Sequence, residues 1–266
     1  MTKRTRLDAE LVRRGLARSR VQAADLIAAG QVRVSGQAAG KAATQVAQDA
    51  AITIQRQDSG PDYVSRGGHK LAGALAAFGG LQVAGRRCLD AGASTGGFTD
   101  VLLRAGAAHV VAADVGYGQL AWSLRADPRV TVLDRVNVRS LRPDQVSPPP
   151  ELVTADLSFI SLTQVLPALA VCAAPDADFV LLTKPQFEVG KGRVGAKGVV
   201  RDPDQRAEAV AAVAQAALDI GLGVCGVVAS PLPGPSGNVE YFLWLHRGAP
   251  QLDDADLRAA IAEGPQ

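Results

Sequence analysis

The chain has 266 residues, 47% of them hydrophobic and only 4% aromatic, enough aliphatic material for one large domain or for an ordinary domain plus a small module. No run approaches the ~18 uninterrupted apolar residues of a membrane-spanning helix, and the charged start MTKRTRLDAELVRR lacks the apolar segment of a secretory signal. The net charge of +2 conceals an imbalance. Residues 1–58 hold ten Lys/Arg against five Asp/Glu, so this head is +5 and the remainder is −3. A basic, Arg-dominated head suggests a polyanion-binding module, although the same count fits a solvated charged surface. Cys88, Cys172 and Cys225 are odd in number and have no CxxC spacing. They read as reduced, small core residues of a cytosolic protein, and no metal site is predicted.

In the head, Leu7, Leu11 and Val12 fall at helical spacing, as do Ala23, Leu26 and Ile27, with Gly15 and Gly30 placed to end the two helices. QVRVSG and AAITIQ then read as short strands. QDSGPDYV, residues 57–64, reads as a linker, which sets a head of 1–58, a linker of 59–65 and a body of 66–266. SRGGHKLAGALAAF predicts a helix with Leu71, Ala74, Leu75 and Phe78 on one face and Lys70 near its start, where a lysine is ordinarily solvated.

The body alternates predicted strands and helices. The strands are Arg87–Ala91, Val110–Asp114, Val130–Leu133, Leu152–Ala155, Phe179–Thr183, Val224–Ala229 and Val239–His246. Helices are expected around Thr99–Arg104, Leu120–Arg125, Leu162–Ala173 and Asp204–Ile220. This interleaving predicts an α/β fold with a doubly wound, mostly parallel sheet of seven strands. The last strand follows SPLPGPSGN with no helix between, which permits antiparallel pairing.

The first body strand leads into CLDAGASTGGFTD, with Gly92, Gly96 and Gly97, and Ser94 where a dinucleotide fingerprint needs its second glycine. Asp114 ends the next strand, 22 residues past Gly92, near the ~20-residue spacing of an acid that binds ribose hydroxyls. Adenosine without pyrophosphate fits better than a dinucleotide. S-adenosylmethionine also carries a cationic sulfonium and an ammonium that Asp90 would attract. The cofactor set is Asp90, Gly92, Ser94, Gly96, Gly97, Phe98 and Asp114; the plainer reading is a strand–helix turn that needs glycine.

Which atom is methylated is narrowed by what is missing. ADLSFIS lacks the Asp/Asn-Pro-Pro-aromatic turn of enzymes that methylate amino groups of bases. Methylation of a cytosine carbon requires a thiolate, and none of the cysteines lies at the carboxyl end of a predicted strand, where an open α/β sheet binds its ligand. A hydroxyl oxygen remains. Asp156 ends the fourth strand and Lys184 the fifth, both at that edge. A second lysine crowding Lys184, such as Lys70, would favour a general base. Glu240 sits among apolar residues and needs a partner if buried. Beyond Lys184, residues 187–200 contain Gly190, Gly192, Gly195 and Gly198. Lys191, Arg193 and Lys197 there cannot all find acids nearby, so the loop reads as a lid that closes on RNA around a flipped nucleotide.

Two resemblances carry these readings further. The head, with Arg6-Leu7-Asp8, Gly15 through Arg20 and Gly30 to Gly36, resembles the S4 RNA-binding fold; this implies an RNA-facing surface of Arg4, Arg6, Arg18, Arg20 and Arg33, joined by Lys191 and Arg193 of the loop. Lys70, Asp156, Lys184 and Glu240 resemble the Lys-Asp-Lys-Glu catalytic set of FtsJ-like ribose 2′-O-methyltransferases, which have the class I, Rossmann-like methyltransferase fold. With VSRGGHKL, DVGYGQLAWSLR, TKPQFEVGKG and SPLPGPSGNVEYFLWL, nearly the whole chain resembles the TlyA family, long called haemolysins. The resemblance implies S-adenosylmethionine as cofactor and cytidine ribose in 16S rRNA, with 23S rRNA for the longer type, as substrate. Ribosomal subunits would be the partners, in the cytoplasm. Some relatives carry Arg and Trp where this chain has Pro61 and Tyr63. A non-catalytic RNA-binding or assembly factor is the alternative; a pore-forming haemolysin would need spanning helices or a barrel.

Overall fold

The computed structural model describes residues 4–17, 19–54, 61–190, 192–195 and 198–265, so Arg18, Lys191, Lys197 and residues 57–60 of the linker lie outside what is described. The chain divides into two units, Met1–Asp62 and Tyr63–Gln266.

The first unit runs β1 (Arg4–Arg6), α1 (Leu7–Arg13), α2 (Arg20–Ala28), β2 (Val32–Val34), β3 (Gln37–Ala38), β4 (Gln45–Ala47) and β5 (Ile52–Ile54). The helically spaced Leu7, Leu11, Ala23 and Ile27 bury against Val32, Val46 and Ile52, forming a small core. Gly15 and Gly30 each take φ +69° just past a helix end, a conformation that costs a side chain about 1–2 kcal/mol. Ser19 caps α2 by accepting the Gln22 N–H at 3.1 Å. Three short strands escaped the sequence pattern: β1 and β4, which pair antiparallel, and β3, which pairs with β2.

The second unit continues with α3 (Gly67–Phe78), β6 (Arg87–Ala91), α4 (Gly97–Arg104), β7 (His109–Asp114), α5 (Trp122–Arg125), β8 (Val130–Asp134), β9 (Leu152–Ala155), α6 (Leu166–Cys172), β10 (Asp178–Thr183), α7 (Pro185–Glu188), α8 (Pro203–Leu218), β11 (Leu222–Ala229), β12 (Tyr241–Arg247) and α9 (Asp254–Glu263). Seven strands form one sheet in the order β11-β12-β10-β9-β6-β7-β8. The β12 strand lies between β10 and β11, antiparallel to both, whereas the β10-β9, β9-β6, β6-β7 and β7-β8 pairs are parallel. One face packs on α6, α8 and α9; the other packs on α3 and α4. Burial on both faces explains why strands such as FVLL read as continuous apolar runs.

Three expectations are corrected. The helix expected over Leu162–Ala173 is a 3-10 turn, Leu162–Gln164, followed by α6, because Pro167 lacks an N–H and is accommodated only in a first helical turn. The last strand begins at Tyr241, so Glu240 precedes the ladder instead of lying within it. Cys225 is exposed, unlike the buried Cys88 and Cys172. The C-terminal α9 had no sequence expectation. Among the described residues no helix is long and apolar enough to cross a membrane.

Tyr63 is locked at the start of this unit. It meets His69 edge-on at 5.1 Å and lies 5.0 Å beneath the Arg104 guanidinium, while the Val64 N–H donates to Asp100 at 2.9 Å. Gly68 admits this packing, since a Cβ there would stand 2.6 Å from Tyr63 Cβ and Cγ. Gly68→Ala is therefore expected to lower stability by about 1–3 kcal/mol, the usual cost of overpacking. Gly80→Ala, whose Cβ would meet nothing closer than 3.8 Å, is expected to leave the urea midpoint within the range of ordinary surface changes. Equal midpoints for the two variants would refute the packing argument.

Candidate active site

The carboxyl edge of the sheet is assembled from neighbouring strands. Asp156 follows β9, Lys184 follows β10, and Glu240 stands one residue before β12. The Thr183–Tyr241 pair closes the β10–β12 ladder, so the next step outward sets Lys184 beside Glu240. Side chains alternate across a strand. Thr183 and Tyr241 therefore face the α8 side, while Lys184 and Glu240 face the α3 side, where Lys70 descends from the first turn of α3. Lys184 can end the strand because Pro185, at the first position of α7, needs no N–H partner and starts a new helix.

Two ion pairs result. Lys70 Nζ binds Glu240 Oε2 at 2.5 Å, with both side chains almost wholly buried. Lys184 Nζ binds Asp156 Oδ1 at 2.6 Å and donates to Ser158 Oγ at 3.1 Å. Each lysine thus has its own carboxylate, where the sequence suggested two lysines pressed together. Among the described residues Glu240 Oε1 is buried without a hydrogen-bond partner. A Cβ at Gly234 would come within 2.5 Å of that oxygen, so glycine is required there.

The turn after β6 adjoins this edge. Gly92 has φ +88°, and its missing Cβ would sit 2.5 Å from the Asp156 carbonyl oxygen. Gly96, at φ +99°, lies against Leu124 and Leu120, and Gly97 against Ser65 and the Gly68 nitrogen. These glycines admit other parts of the chain; Gly92 in particular brings the turn against Asp156. Asp114 is held from two sides, Oδ2 accepting the Ser94 N–H at 2.8 Å and Oδ1 the Gly116 N–H at 2.7 Å. Each oxygen keeps a free lone pair, and the exposed Val115 and Tyr117 flank it. A fixed acid beside apolar side chains fits a ribose diol bearing a flat base. Two members of the expected cofactor set have buried side chains. Asp90 is fully buried, accepts the Thr99 hydroxyl at 2.6 Å, and is pushed up to about 7, chiefly by burial and further by Asp156. Phe98 packs in the core, 5.9 Å from Phe242. Their side chains join β6, α4 and β12, because both positions point beneath the turn.

Sequence reasoning missed three residues here. Phe159 is 91% exposed and takes φ +65°, uncommon for a bulky residue and associated with functional sites. Its ring lies 5.2 Å from that of Phe187. Ser158 touches Lys184. Glu188 fastens the two segments, Oε2 accepting the Ser161 hydroxyl at 2.5 Å and Oε1 the Leu162 N–H at 2.9 Å, and its pKa is raised by burial. The signal was available in ADLSFIS, where a phenylalanine sits in a predicted strand–helix loop.

The expected RNA-facing residues divide. In the lysine loop, Arg193 pairs with Glu208 at 2.5 Å; Lys191 and Lys197, the other two cations of that expectation, lie outside the described residues. Asn238 pins the far end of the loop, donating to the Gly198 carbonyl at 2.8 Å and accepting the Val200 N–H at 2.9 Å. In the first unit Arg4 and Arg6 lie on β1, Arg20 opens α2, and Arg33 on β2 donates to the Gly36 carbonyl at 2.9 Å. Arg6 and Arg20 meet on Asp8.

Comparison with known proteins agrees with this architecture. The sequence profile of the FtsJ-like methyltransferases matches residues 63–247, and that of the S4 domain matches residues 5–52. The 16S/23S rRNA (cytidine-2′-O)-methyltransferase TlyA of Mycobacterium tuberculosis is 64% identical, over the whole of both chains. Hemolysin A of Brachyspira hyodysenteriae is 36% identical, over 89% of this chain and 97% of that protein. A solved structure from Streptococcus thermophilus that carries a hemolysin name has a TM-score of 0.79 and 36% identity, covering 99% of this chain and 96% of that one. The chain belongs to the TlyA family, an S4 domain joined to an FtsJ-like methyltransferase.

Proposed function

We propose that the protein transfers a methyl group from S-adenosylmethionine to the ribose 2′-hydroxyl of cytidine in 16S rRNA and in 23S rRNA, acting on ribosomal subunits in the cytoplasm. The observation that carries this reading is the pair of lysine–carboxylate contacts, Lys70–Glu240 and Lys184–Asp156, at the sheet edge beside the Gly92 turn. The 64% identity to a relative named for this reaction supports the substrate.

In this reading S-adenosylmethionine supplies, when bound, an electrophilic methyl carbon on a sulfonium. Asp114 receives the cofactor ribose hydroxyls, and the backbone of the turn from Gly92 through Ser94 to Gly97 lies along it. Lys184, aimed by Asp156 and Ser158, would meet the substrate 2′-hydroxyl; once its ammonium has passed a proton to Asp156, the neutral amine would take the hydroxyl proton as the oxygen accepts the methyl group, and the sulfur would keep the electron pair of the bond that breaks. Lys70 and Glu240 hold the floor of the site as a buried ion pair. An exposed aromatic ring at the mouth suits a base turned out of its helix, because every base presents a face that stacks. Phe159 is that ring, with Phe187 behind it.

Lys184→Ala is expected to lower methylation of rRNA by at least about a hundredfold, in line with loss of a general base. Its affinity for S-adenosylmethionine, measured by calorimetry, is expected to stay within about twofold. Retained turnover would remove Lys184 from the role of general base, and absence of methylation by the parent protein itself would favour the reading of a non-catalytic RNA-binding factor.

Asp114→Ala is expected to weaken calorimetric S-adenosylmethionine binding about tenfold or more, since hydrogen bonds to a charged group contribute about 1.5–3 kcal/mol. Asp114→Asn, which keeps one acceptor oxygen, should fall between. Parent-like binding by the alanine variant would show that the acid serves only to fix the Ser94 and Gly116 backbone.

For Phe159→Ala the expectation is an unchanged melting temperature, because the ring is exposed, together with methylation slowed about tenfold, the equivalent of about 1–3 kcal/mol of base stacking. Full activity in this variant would mean that no base stacks there.

A further inference from the structure

In the first unit one buried carboxylate lies beneath two exposed guanidinium groups. Asp8 is only 4% exposed. Its Oδ1 accepts Arg6 Nε at 3.1 Å, and its Oδ2 accepts Arg6 Nη2 at 2.9 Å. The same Oδ2 accepts Arg20 Nη2 at 2.9 Å and Nε at 3.3 Å. Oδ1 also takes the Ala9 N–H at 2.8 Å, at the start of α1. The Arg6 and Arg20 side chains keep 46% and 59% of their surface in solvent. The Arg6 bonds, above all, hold the Asp8 carboxyl well below the usual carboxylate range, so the acid stays ionised at any working pH.

A guanidinium has five N–H donors. Arg6 and Arg20 each spend two on Asp8 and keep three, which leave from the side away from the acid. A second acid shows the contrast. Glu10, fully buried, holds Arg13 and Arg14. Arg14 then gives its remaining nitrogens to the Ala50 and Gln48 carbonyls at 2.7 Å each. Arg14 is thus consumed by the fold, whereas Arg13, with 54% of its side chain in solvent, keeps outer donors as Arg6 and Arg20 do; what sets the Asp8 cluster apart is that both of its arginines, from two different elements, stay exposed.

We infer that Asp8 is a positioning residue for RNA: it fixes Arg6 and Arg20, from β1 and α2, side by side so that their outer N–H groups take adjacent phosphates of a folded RNA. An arginine side chain gives up rotamer freedom when it is ordered. Ordering these two before RNA arrives removes that cost from binding, and it favours forked, bidentate phosphate contacts over diffuse attraction. The inference rests on the reading of the first unit as an RNA-binding surface. It adds the acid, which by net charge alone should repel RNA.

That opposition fixes the sign of the test. Binding of a 16S rRNA transcript to the full-length protein is measured by filter retention across a salt series for the parent, Asp8→Asn, Arg20→Ala, Arg20→Lys, Arg6→Ala/Arg20→Ala and Asp8→Asn/Arg20→Ala. Asp8→Asn raises the net charge by one, yet it is expected to weaken binding about fivefold and to flatten the salt dependence by about one phosphate contact, a change near 0.9 in the slope on duplex nucleic acid. In the Arg20→Ala background the same change is expected to add less than twofold, because the two residues act together. Arg20→Lys keeps the charge on an exposed side chain and leaves folding alone; it is expected to lose at least threefold. The inference is overturned if Asp8→Asn, folded by circular dichroism, binds as tightly as the parent or more tightly. Should that variant not fold, parent-like binding by Arg20→Lys overturns it instead. Parent-like binding by Arg6→Ala/Arg20→Ala would remove the RNA-binding reading of this face altogether. A loss with both arginines removed, but none with Asp8→Asn, would spare that reading and reject only the role of the acid.

Discussion

A lysine ammonium taken out of water must meet a carboxylate, and the arrangement of the methyltransferase unit follows from meeting that demand twice in one place. Lys70 and Lys184 are both buried, and each has an acid within 2.6 Å. Removing one partner of such a buried pair leaves an uncompensated charge, at a cost of about 3–5 kcal/mol. The sheet order meets the demand. Inserting β12 between β10 and β11 brings Glu240 alongside Lys184, and the parallel β9–β10 pair brings Asp156 to the other side. The glycines at 92 and 234 let backbone pass close enough for both acids to reach.

The loop that carries Asp156 is held under tension. Phe159 occupies a left-handed conformation that the chain tolerates only because neighbouring contacts enforce it. On one side Ser158 is bound by Lys184; on the other Ser161 and Leu162 are bound by Glu188. The segment after β9 and the segment after β10 are therefore fastened at both ends, with the exposed ring between. Any force that shifts the ring is transmitted to the lysine, since both belong to the same short bonded circuit.

Acids set the direction of cations in both units, with different outcomes. At the sheet edge the lysines are enclosed and their freedom is spent. In the first unit the arginines on Asp8 keep their heads in solvent, where exposed ion pairs contribute little stability and geometry is what remains. Asp90 shows the opposite limit: with no cation beside it and burial complete, its carboxyl is pushed up to about 7. Its Oδ2 accepts the Thr99 hydroxyl and so ties β6 to α4.

Local pattern was sufficient for most of the elements of the sheet and for the two helices of the head. Apolar runs marked the strands, Gly15 and Gly30 the helix ends, and the helix-free SPLPGPSGN the antiparallel last strand, because each rests on backbone preferences a few residues long. The position of Lys184 at the carboxyl edge was legible too, since the apolar strand stops before it and Pro185 follows it. Partners were not legible. That Asp8 serves Arg20, that Glu208 meets Arg193, or that the glycine turn makes room for Asp156 depends on register between strands and helices far apart in sequence. The exposure of Phe159 and the burial of Asp90 and Phe98 were hidden for the same reason: a motif fixes residue identity and spacing, whereas the direction in which a side chain points is settled only when the sheet closes around it. The sequence by itself determined the alternation of elements and the residue types at the carboxyl edge. The tertiary structure alone decided which charges face each other, because opposite charges select their partners by distance in space.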